Sequence, residues 1–576
     1  MHMEGTGARI LVESLRRAGI TTIFGVPGDT GVALYDALYD ARDHIRHILA
    51  RDERSAAMMA DSYARCTNQV GVVEASSGGG TTYVVGGLGE PFAASVPLLV
   101  ITSDIHRGSH GTGALTEIDQ TRLFSAVTKW AATATSAAEI PTLVAAALTA
   151  ATSGRPAPVS LVIPEDVLDE HAHAAIPEEA LGPEATAVPR TRIAADEGTA
   201  RLAAETMHAA RQPAIVAGGG VHLSEAWGDL ARLVEEAGIP VATSIHGKGS
   251  LAESSPWSLG VAGANGARDY ANTYLAGADV VLFAGTRANA TDTNSYICPP
   301  RHGPTIIGID IEEERAGRNY PGSIGLVGDA RTVLRQLALA LPTPDPARRR
   351  RLAAWVVEQR AAWQAACGEA SREEPARIDP GDVVRAIQEI AGGAAIVVAD
   401  PGTPTPYVAA YWETMTAGRS VIVPRGHGPM GYALPGAVGA ALACPGRPVV
   451  GLMGDGSFAM SCGELETVCR LGLPITYVHF NNQSMGWIKM LQHLYLERRY
   501  FGVDLGPTDA AAVARGFGLR AAHVASLDDF KEVFRAYHTS GESSFIDLTV
   551  PDETEVVPPV APWQAALAGK RGRPVY

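Results

Sequence analysis

Hydrophobic and polar positions follow two periodicities along the chain, and the switching between them predicts its elements. From Ala8 to Ala18 apolar residues recur three and four positions apart, the spacing of an amphipathic helix. Thr21 to Phe24 is short, continuous and β-rich, and Gly25 to Gly28 supplies a turn. The alternation continues through Ile45 to Leu49, a helix from Asp52, Val70 to Ala75, a helix after Gly80, and Val96 to Thr102. Near-continuous apolar strands separated by helices predict a parallel sheet covered on both faces.

Two breaks divide the chain. His171 to Arg192 loses periodicity and carries Pro177, Pro183 and Pro189, and Leu341 to Arg351 carries Pro342, Pro344 and Pro346. Such stretches suit linkers. Between them lie the runs Ala214 to Ala217, Val241 to Thr243, Val280 to Ala284 and Ile306 to Ile311. Beyond the second break come Ile396 to Ala399, Val421 to Val423, Val449 to Met453, Ile475 to Phe480 and Phe545 to Val550. The expected fold class is α/β, with three doubly wound parallel-sheet domains at residues 1–172, 193–341 and 376–555 and a C-terminal tail at 556–576.

Composition narrows the function. With 47 Lys and Arg against 62 Asp and Glu in 576 residues, the net charge is −15, which disfavours nucleic acid or an acidic membrane surface as partner. Six cysteines without a CxxC pair argue against a zinc site and a disulfide framework. No uninterrupted apolar run approaches the roughly 18 residues of a membrane span, and no signal peptide opens the chain, so a cytoplasmic location is expected.

The sharpest chemical signal is Gly454-Asp455-Gly456 directly after one strand and Asn481-Asn482 closing the next. Alone, these read as a turn and a loop. Their separation spans a strand, a helix and a strand, so Asp455 and Asn482 can emerge together at the carboxyl ends of neighbouring parallel strands, where ligands bind. With a main-chain carbonyl, assigned to Ser484, they make a hard oxygen site suited to Mg²⁺ shared with phosphates.

The GDG…NN pair resembles the signature of thiamine-diphosphate enzymes, and the resemblance covers essentially the whole chain in the order pyrimidine-binding, central and diphosphate-binding domain. The nearest branch is the one holding acetohydroxyacid synthase, oxalyl-CoA decarboxylase and 2-hydroxyacyl-CoA lyase. It implies thiamine diphosphate and Mg²⁺ as cofactors, with Gly454, Gly456 and Ser457 beside the diphosphate. Arg51-Asp52-Glu53-Arg54 stands where the family carries its cofactor-activating glutamate, which assigns that role to Glu53; read by itself, the tetrapeptide is dipole compensation at a helix start. Gly426-His427-Gly428-Pro429-Met430-Gly431 resembles a family segment that gives Gly428 a carbonyl for the aminopyrimidine and Met430 the wedge beneath the bent cofactor. Gly402-Thr403-Pro404-Thr405 occupies the diphosphate-contacting place, where the synthases carry Gln-His. Leu115-Thr116-Glu117-Ile118-Asp119 likewise departs from the Phe-Gln of the synthases and the Tyr-Glu of the oxalyl-CoA enzyme.

In the relatives the central domain holds an adenine nucleotide, either FAD or the ADP portion of CoA. Asp310 is placed for its ribose, and Arg287 and Lys248 for its phosphates. Glu497, the one carboxylate in the stretch that follows Leu494-Tyr495-Leu496, reads in two ways: as the base that removes a substrate hydroxyl proton from a poorly solvated pocket, or as an ordinary surface Glu paired with Arg498 or Arg499. These features favour a 2-hydroxyacyl-CoA lyase releasing formyl-CoA and a ketone or aldehyde, with a small acyl-CoA as substrate. The alternatives are a carboligase or decarboxylase of 2-oxo acids of the acetolactate synthase type, and a non-catalytic nucleotide-binding homologue. The resemblance also implies a homodimer at minimum, with a homotetramer expected. The Pro-rich segment from Val556, carrying Trp563 and ending in basic residues, is either a lid or a loose tail.

Overall fold

The computed structural model describes residues 2–177, 179–266, 268–373 and 378–569. Its strands are β1 (His2–Thr6), β2 (Thr22–Val26), β3 (Arg46–Leu49), β4 (Gly71–Ala75), β5 (Leu98–Asp104), β6 (Ala131–Thr133), β7 (Val159–Pro164), β8 (His171–Ala175), β9 (Pro213–Ala217), β10 (Val241–Thr243), β11 (Ser258–Val261), β12 (Val280–Ala284), β13 (Thr305–Asp310), β14 (Ile324–Val327), β15 (Ile396–Ala399), β16 (Val421–Ile422), β17 (Val449–Gly454), β18 (Ile475–Asn481), β19 (Arg520–Val524) and β20 (Ser544–Thr549). They build three six-stranded parallel sheets in the orders β3-β2-β4-β5-β7-β6, β11-β10-β9-β12-β13-β14 and β16-β15-β17-β18-β20-β19, and β1 pairs with β8 as an antiparallel ribbon. The expected α/β class with three doubly wound sheets is the fold observed. Every residue of β4, β5 and β7 is buried, as a sheet covered on both faces demands.

The chain forms two compact units. One holds the chain up to Thr191 with Pro424–Gly446 and Ser461–Leu473; the other holds Arg192–Val423, Arg447–Met460 and the chain from Pro474 on. The first unit thus joins the first sheet to the loop Gly426–Met430 and the helix Ala433–Ala443 that follows it. That helix lies so close to the helix Glu53–Thr67 that a Cβ on Gly439 would stand 2.1 Å from the Met59 carbonyl oxygen. The second unit carries the central and third sheets.

In each sheet the chain winds outward in one direction, returns, and winds in the other. The reversal falls between β2 and β4, between β9 and β12, and between β15 and β17. Crevices at the carboxyl ends of such strand pairs are where open α/β sheets take ligands. Among the described residues no helix is long and apolar enough to cross a membrane.

Candidate functional site

The third sheet brings its predicted residues to its reversal point. Gly402 and Thr403 follow β15 closely, Asp455 follows β17 directly, and Asn482 follows β18. Gly402 has φ +117°, a conformation that favours glycine, in a turn that opens onto space. Gln483 has φ +56°, an uncommon conformation for a residue with a side chain, and it turns the loop back just after Asn482.

The geometry around Asp455 fits a hard divalent cation. Its carboxylate is 11 % exposed, and burial pushes it above the ordinary range. Oδ2 accepts the Asn482 backbone N–H at 3.0 Å. Among the described residues no Lys or Arg forms an ion pair with it, and the His479 imidazole lies beside it, Nε2 3.6 Å from Oδ1. A carboxylate desolvated in this way calls for a positive charge. The Asn482 side-chain amide donates to Glu553 Oε2 at 2.8 Å, which turns its carbonyl oxygen away from that carboxylate. Ser484 is buried, and its Oγ has no hydrogen-bond partner among the described residues. Among the described residues no three His, Cys, Asp or Glu side chains gather as a metal cluster, so an ion here would depend on amide and carbonyl oxygens and on a phosphate ligand.

Two residues beside this loop escaped the sequence reading. Glu553, just past β20, is 2 % exposed; it accepts from Thr403 Oγ1 and Asn482 and lies against Gly486, where a Cβ would stand 1.7 Å from its Oε2. Burial is the main cause that pushes its carboxyl up to about 7. The available signal was the acidic pair Asp552-Glu553 immediately after a buried strand. His479, opposite Asp547 in the β18–β20 ladder, bonds Asp547 Oδ1 through Nδ1 at 2.9 Å, and Asn481 Nδ2 donates to the same oxygen at 3.0 Å. Asp547 therefore braces the strand end that carries Asn482.

In the first unit, Glu53 is the first residue of its helix. Asp52 caps that helix, its Oδ1 accepting from the backbone N–H groups of Arg54 at 2.7 Å and Ser55 at 3.3 Å. Burial foremost, then repulsion from Asp52 and Glu74, raises the Glu53 carboxyl. Its Oε1 lies 3.0 Å from the place a Cβ on Gly80 would take. Glu74, unforeseen, is a second buried carboxylate, accepting from Tyr35 Oη and lying 3.1 Å from His47 Nε2. Gly428 and Met430 are half-buried, and the φ of +79° at Gly428 again favours glycine.

The central sheet spreads its predicted residues over the ends of several strands, with Lys248 beyond β10 and Asp310 at the end of β13. Gly218 and Gly220 follow β9, and Arg287 closely follows β12. The two turns pack backbone to backbone: the Gly220 N–H donates to Gly285 O at 2.9 Å, and a Cβ on Gly218 would stand 2.4 Å from that oxygen. Asp310, at the end of β13, accepts the Glu312 N–H at 3.0 Å and closes its own turn. Lys248 corrects the sequence expectation. Its side chain is 0 % exposed, its ammonium is paired with Glu253, and Arg268 Nη2 holds the other Glu253 oxygen at 2.6 Å. Burial lowers the Lys248 pKa. An ammonium enclosed in this way has no phosphate to meet.

Glu497 is corrected as well. The helix Gly486–Tyr495 ends before it, and Glu497 stands exposed on a turn with φ +55°, outside any poorly solvated pocket. The C-terminal segment is docked through its described part: Trp563 is fully buried, its ring centroid 4.4 Å from that of Trp487. The basic end, Lys570 to Tyr576, lies outside the described residues.

With this geometry established, comparison with known proteins identifies the three sheets. Residues 5–123 match the N-terminal TPP binding domain of thiamine pyrophosphate enzymes, residues 200–337 the central domain and residues 400–548 the C-terminal TPP binding domain. The chain is 32% identical to a probable acetolactate synthase large subunit of Methanocaldococcus jannaschii, over 96% of this chain and 93% of that protein. It is 30% identical to the acetolactate synthase isozyme 2 large subunit of Escherichia coli, over 96% and 97%. With the mitochondrial acetolactate synthase catalytic subunit of Saccharomyces cerevisiae it shares 28% over 96% and 82%. These likenesses overturn the expected 2-hydroxyacyl-CoA lyase. That reading rested on the departures at Gly402–Thr405 and Leu115–Asp119, on a nucleotide site in the central domain and on Glu497; of these, the structure encloses Lys248 and leaves Glu497 exposed.

Proposed function

The chain belongs to the thiamine pyrophosphate enzyme family, and from that premise we propose that it is a carboligase of the acetolactate synthase type, joining 2-oxo acids with loss of carbon dioxide. The observation that carries the reading is the likeness, over 96% of the chain, to proteins of that name. The site chemistry supports it. Asp455, the Asn482 amide oxygen and the Ser484 carbonyl would hold Mg²⁺, and Gly402, Thr403, Gly454, Gly456 and Ser457 would hold the diphosphate. When bound, thiamine diphosphate supplies a nucleophilic carbon and an electron sink for the pair that decarboxylation leaves behind.

The protein's own groups do the remaining work. A carboxyl raised by burial, as at Glu53, holds a proton more readily than an exposed one and can share it with a ring nitrogen. Gly428 offers a main-chain carbonyl to an amino group, and Met430 offers an apolar wedge. Glu553 fixes Thr403 and Asn482 at once, so the phosphate and metal contacts are set together. Where the synthases carry Gln-His and Phe-Gln, this chain has Gly402–Thr405 and Leu115–Asp119, and we assign the choice of acceptor to these positions. We propose a homodimer at minimum, which sedimentation velocity would measure.

Protein reconstituted with thiamine diphosphate and Mg²⁺ and given pyruvate is expected to release one carbon dioxide per acetolactate, read by mass spectrometry. Absence of any cofactor-dependent product from pyruvate, alone or with a second 2-oxo acid or an aldehyde, would overturn the reading.

A further inference from the structure

We propose that Glu90 is a positioning residue that holds the loop Gly426–Met430 in the conformation presenting Gly428 and Met430. Its carboxylate lies in the helix Gly79–Ala94, its side chain 0 % exposed, and it gathers three consecutive backbone amides of that loop. Oε1 accepts from Gly426 N at 3.2 Å, and Oε2 from His427 N at 2.6 Å and Gly428 N at 3.3 Å. Arg65 Nη2 holds Oε1 from the other side at 3.1 Å.

The charge balance explains why the loop stays. Arg65 also grips Asp61, Nε to Oδ2 at 3.0 Å, so two buried carboxylates share one guanidinium. Hydrogen bonds add to that shared cation: the loop amides donate to Glu90 and the Tyr432 hydroxyl to Asp61. Hydrogen bonds to a carboxylate from N–H groups are the strong, charge-assisted kind, and withdrawing them would strip three donors from a buried carboxylate. The loop is thus clamped at both ends, by Glu90 through Gly426–Gly428 and by Asp61 through Tyr432. Gly89 completes the fit: a Cβ there would stand 2.6 Å from His427 Cδ2, so only glycine lets the ring lie against the helix.

Glu90 touches neither the cofactor nor the reacting atoms on this reading, which rests on the loop's assignment under Proposed function. The test therefore has one arm that does not depend on that assignment. Hydrogen exchange of the full-length, cofactor-free protein is measured by mass spectrometry for Glu90→Gln and for Glu90→Asp, which keeps the charge for Arg65 but shortens the reach to the amides. Exchange at Gly426, His427 and Gly428 is expected to speed up by roughly tenfold or more in both variants while β4 and β5 keep their protection. In the reconstituted enzyme, half-saturating thiamine diphosphate is expected to rise about tenfold with turnover at saturation changed less than about threefold. Unchanged loop exchange, or exchange raised equally across the first sheet, overturns the proposal, and Glu90→Asp decides it should Glu90→Gln fail to fold. Selective loop exchange in a protein inactive on every 2-oxo acid would sustain the clamp and overturn the proposed function instead. Active protein with unaltered cofactor saturation would do the reverse.

Discussion

The crevice of the third sheet and that of the central sheet start from the same topology and end differently. Each has a glycine-bearing turn after one strand, a polar turn after its neighbour, and charged residues within a few positions of a strand end. In the third sheet the charge stays available: Asp455 is half-buried without an Arg or Lys partner among the described residues, and Asn482 is oriented by Glu553. In the central sheet the glycines let two turns close on each other, and Lys248 is consumed by Glu253 in a cluster that also ties Arg268 to the Ala410 carbonyl at 3.1 Å. A reversal point offers a crevice; the commitments of its side chains decide whether a ligand or the protein fills it.

The comparison breaks most visibly at Asp455. Asp455→Asn removes the one carboxylate of the proposed metal site and is expected to cut cofactor-dependent turnover by about a thousandfold, since metal-borne charge stabilisation is worth several kcal/mol. The cofactor-free variant should melt at the wild-type temperature or above it, because the substitution also removes a charge that partial burial disfavours. Glu253→Gln in the central cluster should show the opposite pattern. It leaves Lys248 and Arg268 buried without their anion and should cost about 3–5 kcal/mol in urea denaturation, with turnover per folded molecule little changed. Comparable loss of turnover from both variants would erase the distinction between the crevices.

The difference was only half legible in the sequence. Asp455 and Asn482 could be paired because one strand, one helix and one strand separate them, a distance that the parallel-sheet rule converts into proximity. Three doubly wound sheets followed from the apolar runs for the same reason. Lys248 could not be read, because what decides its role is Glu253 in a following turn and the Ala409 carbonyl far along the chain, 3.3 Å from its ammonium. Glu553 and Glu90 were invisible for a similar reason: each gains its meaning from partners that only the folded chain brings near. Glu497 misled because apolar neighbours in sequence suggested an apolar pocket, whereas the helix ends at Tyr495 and leaves it on an exposed turn.

A smaller effect follows from His222, which packs beside the central cluster. Trp227 Nε1 donates to its Nδ1 at 2.9 Å, so Nε2 carries the proton and donates to the Lys248 carbonyl at 3.1 Å. Burial, reinforced by Arg419, depresses its pKa from 6.5 to about 3. The unfolded chain then takes up the proton more readily than the folded one. Stability from this group is complete above about pH 6.5 and is lost as pH falls toward 3, at up to about 1.4 kcal/mol per unit. Urea denaturation at about pH 6.5 and 5 should show roughly 2 kcal/mol of acid loss that His222→Gln lacks. An identical slope in the variant would mean that the central cluster, not the histidine, titrates.

The smallest expected effect is at Glu497. An exposed turn residue makes surface interactions worth at most about 1 kcal/mol, and Glu497→Gln should leave the melting temperature within a few degrees, and turnover within about twofold, of wild type. The value of so small a change lies in its contrast with Asp455→Asn, a carboxylate-to-amide exchange in the same sheet domain. If the chemistry of a carboxylate depended on its neighbours in sequence, Glu497 after three apolar residues would be the sensitive one. If it depends on what the fold buries and leaves unpaired, Asp455 will be. A turnover loss at Glu497 approaching that at Asp455 would show that the turn at residues 496–499 closes over the site during the reaction and gives this carboxylate a role that its exposed position does not.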